Sequence, residues 1–311
     1  MRWPVALAAA GLVAGCAADP FRSVDTIPVD SAVELGETAF FPQEAYQCGP
    51  AALATVLQTS GVPVTPDELV PLVFIPERGG SLQTEIVATA RTFGRIPYII
   101  EPEFAALLRQ LDAGRPVLIL QNLGVSFAPA WHYAVVVGYS SARKEIILRS
   151  GTTERLTQSG RTFVNTWRRS DYWGVVLLPA DEIPAGIDPQ RYLSAVAAAE
   201  SAQQFDLALP AYTAAATRWP DEPLAPLGIG NIQFARGDAG AAELWYRRVL
   251  DIEPQHPVGL NNLASVLIAR GACNEASAII GDALATQSAG SPYVEMLTAT
   301  EAETVACSAT P

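Results

Sequence analysis

Apolar residues fill positions 51–58 almost without a break, directly after Cys48, Gly49 and Pro50, and this run predicts a helix. Proline suits the first turn of a helix, where its missing N–H goes unused. Thr65-Pro66-Asp67-Glu68 reads as a capped start leading into 69–74. Ser81 reads as the N-cap of a helix over 82–93, with Gly94 as its terminator and Gly79-Gly80 as the turn leading in. A strand over 95–100 precedes a helix over 102–113, where Phe104, Leu107, Leu108 and Leu111 share one face and Gly114 ends the run. Four segments rich in β-branched and aromatic residues follow, 116–120, 131–139, 145–149 and 173–178, separated by turn residues. Helices first and strands after is an α+β pattern, here over 36–180.

The prolines and glycine of 179–189 read as a linker, taken as 181–189. Beyond it the pattern repeats every 34 residues: Ala208, Ala242 and Ala276; Tyr212, Tyr246 and Ile280; Pro220 and Pro254; Gly237 and Gly271. This is similar to the tetratricopeptide pattern, and implies an all-α tetratricopeptide-repeat solenoid over 190–311 that binds a protein partner. Three helix pairs fit, near 190–220, 223–254 and 257–284, with a capping helix over 291–304. Asn231, Asn262, Arg236 and Arg270 are candidates for peptide contact, or for packing.

The formal charge of -12, with Lys144 the only lysine among 311 residues, excludes the basic stripe of a nucleic-acid surface. The first 15 residues carry one arginine, a short apolar stretch and small residues before Cys16, as a secretory signal does. Leu12-Val13-Ala14-Gly15-Cys16 resembles the bacterial lipobox, which implies acylation of Cys16. Ala17, rather than aspartate, follows it, and the resemblance then implies the periplasmic face of the outer membrane. Residues 16–35 are expected to be a tether. In an oxidising compartment Cys273 and Cys307, also 34 apart, are the expected disulfide, pinning the cap to the last repeat.

Cys48 is left as a thiol at a helix N-terminus, where unpaired amides are expected to lower its pKa and favour the thiolate. Of two histidines, His256 falls at a turn between repeats and is expected to be structural, whereas His132 opens an apolar strand. A cysteine on a helix end facing a histidine on a strand is the arrangement of papain-like thiol sites. The Cys48 N–H and the Gln43 side chain are the expected donors to an oxyanion. No spacing of histidines and cysteines suits a metal, and no cofactor is expected.

Gln43, Gln47-Cys48-Gly49-Pro50-Ala51-Ala52-Leu53, Gly80-Ser81-Leu82 and His132-Tyr133-Ala134-Val135-Val136-Val137-Gly138-Tyr139 together resemble the bacteriocin-processing cysteine peptidases. These are papain-like enzymes that cut leader peptides after a Gly-Gly pair. The resemblance spans about 39–179 and implies a papain-like cysteine peptidase domain with Cys48 as nucleophile and His132 as base. It also implies an aspartate beyond the next strand, where this chain has Ser150. Those peptidases are typically fused to a membrane-spanning export ATPase, and neither a long apolar span nor a P-loop follows the signal here. The expected function is a membrane-anchored peptidase acting on a peptide or protein. The competing reading is a peptide-binding or assembly lipoprotein without catalysis, and acyl transfer to an amine would use the same residues.

Overall fold

The computed structural model describes residues 19–24, 28, 30–42, 47–288 and 290–309, so Cys16 and Gln43 lie outside the described residues. The first part contains β1 (Ala32–Glu34), α1 (Cys48–Thr59), α2 (Pro66–Val73), α3 (Gln83–Thr92), β2 (Ile96–Ile99), α4 (Phe104–Asp112) and β3 (Val117–Asn122). It continues with β4 (Trp131–Ser140), β5 (Glu145–Ser150), β6 (Thr153–Ser159), α5 (Gly160–Trp167) and β7 (Gly174–Leu178). The strands form one antiparallel sheet in the order β2-β7-β3-β4-β5-β6, with β1 also paired to β4.

Strands that are apolar at successive positions need cover on both faces, and these have it. Leu118, Leu120, Tyr133, Val135 and Val137 pack in one core with α1, α2 and α3. Val117, Ile119, Ala134 and Val136 pack in another with α4 and α5. The β3–β4 register runs from Val117 opposite Val136 to Asn122 opposite Trp131, which fixes where His132 emerges from the sheet.

Two features depart from the sequence pattern. The tether expected over 16–35 does not extend through its described residues. Phe21 stands edge-on to Phe104 with ring centroids 5.1 Å apart, Val24 is buried, and β1 joins the sheet. These few apolar residues have no shared period, yet each fills a gap beside α4 or β4. The segment between Ser150 and Tyr172, where the sequence shows no clear period, forms β6 and α5; β6 is largely exposed, so it carries no apolar alternation.

The helical part comprises α6 (Pro189–Ser201), α7 (Phe205–Arg218), α8 (Leu224–Ala235), α9 (Ala239–Ile252), α10 (Pro257–Ala269), α11 (Cys273–Thr286) and α12 (Val294–Ser308). Ala208, Ala242 and Ala276 are buried where paired helices approach, and Tyr212, Tyr246 and Ile280 are buried beside them. Gly237 and Gly271 turn between paired helices with φ of 84° and 77°; Gln203, 34 residues earlier, takes the same left-handed conformation at 57°. Cys273 and Cys307 form a disulfide joining α11 to α12, with Cα atoms 5.7 Å apart. Residues 179–188 have no regular structure, but they are not a loose hinge. Ile187 is buried, the Asp188 N–H donates to Tyr98 Oη at 3.2 Å, and Tyr192, Leu193 and Val196 of α6 share a core with Ile96 and Tyr98 of β2. No helix among the described residues is long and apolar enough to cross a membrane.

Candidate active site

Cys48 opens α1, and Gly49 explains how another chain segment reaches it. A Cβ at position 49 would stand 2.6 Å from Ser81 Cβ, so only glycine admits the 80–82 segment against the helix terminus. Ser81 is therefore not the N-cap of α3. That helix starts at Gln83 with Leu82 in the cap position, while Ser81 Oγ is buried without a hydrogen-bond partner and its carbonyl accepts from Tyr133 Oη at 3.3 Å.

The backbone N–H groups of Tyr133, Gly49 and Cys48 all favour the charged form of the sulfur, yet burial outweighs them and pushes the Cys48 thiol up. This reverses the direction expected from the helix terminus alone. Half-burial against Leu53, Tyr133 and their neighbours removes water that a thiolate would need.

His132 stands one residue before the Tyr133 amide that points at the sulfur. Its Nε2 lies 2.8 Å from Ser150 Oγ, and burial holds its pKa below the usual histidine range. Nδ1 has no hydrogen-bond partner among the described residues, and no hydrogen bond joins the ring to Cys48 Sγ. Cys48 and His132 nonetheless line one cleft of about 1250 Å³, together with Ser81, Leu82, Trp131 and Tyr133. Catalytic contacts often close only when substrate is bound.

The surroundings hold this geometry. Asn122 Oδ1 accepts from the Gly124 and Ala130 amides at 3.0 and 2.9 Å, closing the β3–β4 loop that delivers Trp131 and His132. Arg169, which also lines the cleft, donates to the carbonyls of Asn122 and Gly124. Arg149, buried beside Ser150, donates to the carbonyls of Glu154 (2.7 Å) and Gly36 (3.1 Å), tying β5 to the segment that follows β1. At the rim, Asp171 and Tyr172 both adopt left-handed φ, 54° and 56°, which is costly for two successive non-glycine residues. Sequence reading missed Arg149, Asn122 and Arg169. They act through backbone carbonyls and amides, and no side-chain motif announces such contacts.

The other candidates fall elsewhere. His256 caps α10, its Nδ1 accepting from the Gly259 amide at 3.0 Å. Asn231 receives Tyr246 Oη at 3.0 Å and Asn262 Nδ2 at 2.9 Å, and donates to Glu200 at 2.8 Å. Arg236 pairs with Asp206, and Arg270 with Glu243. These four side chains are engaged within the repeats. No cluster of metal-ligating side chains occurs among the described residues.

Residues 36–174 match the Peptidase_C39 like family. Among solved structures, the chain is similar to a putative C39-like peptidase from Bacillus anthracis, at 15% identity and TM-score 0.40, covering 48% of this chain and 98% of that one. It is also similar to the peptidase domain of Streptococcus ComA, at 21% identity and TM-score 0.36, covering 46% and 99%. It is similar, too, to the Yersinia enterocolitica type III secretion translocator chaperone SycD, at 17% identity and TM-score 0.37, covering 41% and 87%. No curated protein matches the chain. The α+β part is thus a peptidase-like domain of the C39 type, followed among the described residues by seven helices in an all-α repeat region.

Proposed function

We propose that this protein is a cysteine peptidase, anchored through an acylated Cys16 to the periplasmic face of the outer membrane, with its repeats gripping a protein partner or substrate. The supporting observation is the placement of the Cys48 sulfur against the His132–Tyr133 peptide in the large cleft, with the His132 ring braced by Ser150. Burial raises the Cys48 pKa and lowers that of His132, directions that suit a step in which His132 takes the Cys48 proton as the sulfur attacks the substrate carbonyl. The Cys48 N–H and the Gln43 side chain receive the developing oxyanion. The imidazolium then returns its proton to the leaving amine, and water, deprotonated by the same ring, releases the acid from the thioester. Exposed Trp131, which lines the cleft, favours apolar residues in the substrate.

A second reading is favoured by one specific pair of observations. Ser150 supplies no negative charge, and burial opposes ionisation of the thiol; both suit a domain that binds peptides without cutting them. Incubation with a peptide library separates the two. Turnover that Cys48→Ser and His132→Ala each abolish is expected for the peptidase. Peptides bound intact and released unchanged by the wild-type chain would establish the binding module instead.

A further inference from the structure

The described chain begins at the end of the sheet opposite the cleft. Asp19 accepts from the Phe21 amide at 3.2 Å and pairs with Lys144 Nζ at 2.8 Å, in the turn that joins β4 to β5. Phe21 fills a notch that only glycine leaves open, since a Cβ at position 160 would stand 2.7 Å from its ring. Val24 is buried, and the Ser141 amide donates to the Ser31 carbonyl at 2.9 Å. An ion pair near the surface holds a segment weakly by itself, but the packing of Phe21 and Val24 on the core adds to it. Residues 19–24 are therefore a strap fastened to the domain.

The cleft gathers at the other end. Leu120 late in β3, Trp131 at the start of β4, Thr152 between β5 and β6, and Asp171 ahead of β7 all line it. At the rise of a strand, Ser140 at the strap's end of β4 stands about 23 Å from Tyr133, whose amide points at the Cys48 sulfur. Only Ala17 and Ala18 separate Cys16 from Asp19, and a chain of that length reaches at most about 11 Å.

We propose that the anchored chain stands with its β4–β5 turn toward the bilayer and its cleft outward, and so takes polypeptides free in the aqueous space rather than segments lying in its own membrane. The inference rests on the acylation of Cys16 proposed above, and it holds for a peptidase and a binding module alike. Turning the cleft down onto the lipid would lift Asp19 about 23 Å from the surface, about twice the reach of the two alanines. The domain can lean on so short a leash, but it cannot invert. A loose strap would lengthen the leash to the whole of 17–31, and no face of the domain would then be favoured.

The test uses the full acylated chain reconstituted in phosphatidylcholine vesicles that carry a maleimide on a short headgroup spacer. In a Cys48→Ser background, a thiol is placed at the β4–β5 turn by Ala142→Cys or at the cleft by Thr152→Cys; both positions are exposed. Each rate is divided by the rate with a water-soluble maleimide. The ratio is expected to be about tenfold or more higher for Ala142→Cys than for Thr152→Cys, because the leash sets the local concentration of headgroups. A flexible insert of about 30 residues between Ala18 and Asp19 is expected to level the two ratios. Equal ratios without the insert, a higher ratio at the cleft, or a difference that survives the insert overturns the proposal while the anchor stands. A chain that lacks the acyl group on Cys16 and washes from the vesicles overturns the anchor itself, and the orientation with it.

Discussion

Ser150 Oγ lies 2.8 Å from His132 Nε2, so the residue standing where the sequence resemblance implies an aspartate does meet the imidazole. A hydroxyl can fix the ring's orientation but cannot stabilise an imidazolium as a carboxylate does. Ser150→Ala is therefore expected to lower kcat/KM only about two- to tenfold, the worth of one neutral hydrogen bond. Ser150→Asp is expected to raise both the rate and the pKa of His132. Steady-state kinetics on a cleaved peptide check this, and a Ser150→Asp variant slower than Ser150→Ala would refute the assigned orientation.

The pKa directions at Cys48 and His132 have opposite consequences with pH. Alkylation needs thiolate, and the Cys48 pKa is raised, so the iodoacetamide rate climbs through an inflection above the ordinary thiol value. At neutral pH the folded thiol reacts more slowly than the same residue in denatured chain. His132 has a lowered pKa and stays neutral as a base, so the acid limb of kcat/KM falls below the ordinary histidine value of about 6.5. By linkage, folding stability drops as pH falls through that ordinary value, since the unfolded ring binds a proton the folded one refuses. An alkylation inflection below neutrality would instead indicate a preformed thiolate–imidazolium pair.

Gly49 and Ser81 form a steric pair that sequence spacing does not reveal. Gly49→Ala forces Ser81 away from the helix terminus and is expected to cost about 1–3 kcal/mol of stability together with most of the activity. Adding Ser81→Gly should restore a large part of both. A double-mutant cycle in denaturant shows the coupling; simple additivity of the two changes would exclude it.

Replacing Cys273 and Cys307 by serine reopens a loop of 34 residues, with an expected loss of about 3.5–4 kcal/mol on the chain-entropy scale. The loss should be confined to the last helices. Hydrogen exchange is expected to quicken in α11 and α12 while β3 and β4 keep their protection. Uniform quickening would mean that the repeats and sheet unfold as one cooperative body.

Much of this architecture was legible in the chain. α1 and β4 are long apolar runs behind distinctive residues, and the repeats betray themselves because each 34-residue unit buries the same small alanine. β1 has three residues and β6 is an exposed edge, so neither leaves a pattern. The terminal amides expected to favour the thiolate do act in that direction, but a helix terminus can be read from sequence, whereas the burial by Tyr133 and Leu53 that opposes them cannot. Ser81 is hidden for a similar reason: a serine before a helix looks like a cap until a glycine elsewhere in the chain makes room for it.

The core that α6 shares with β2 bears on how such a chain can be rebuilt. Severing it at residues 179–188 strips Ile96 and Tyr98 of their cover, and the isolated front half would clump when expressed. A graft that exchanges the partner-recognising helices for another array should keep α6 and α7 with the sheet and splice at the turn before α8.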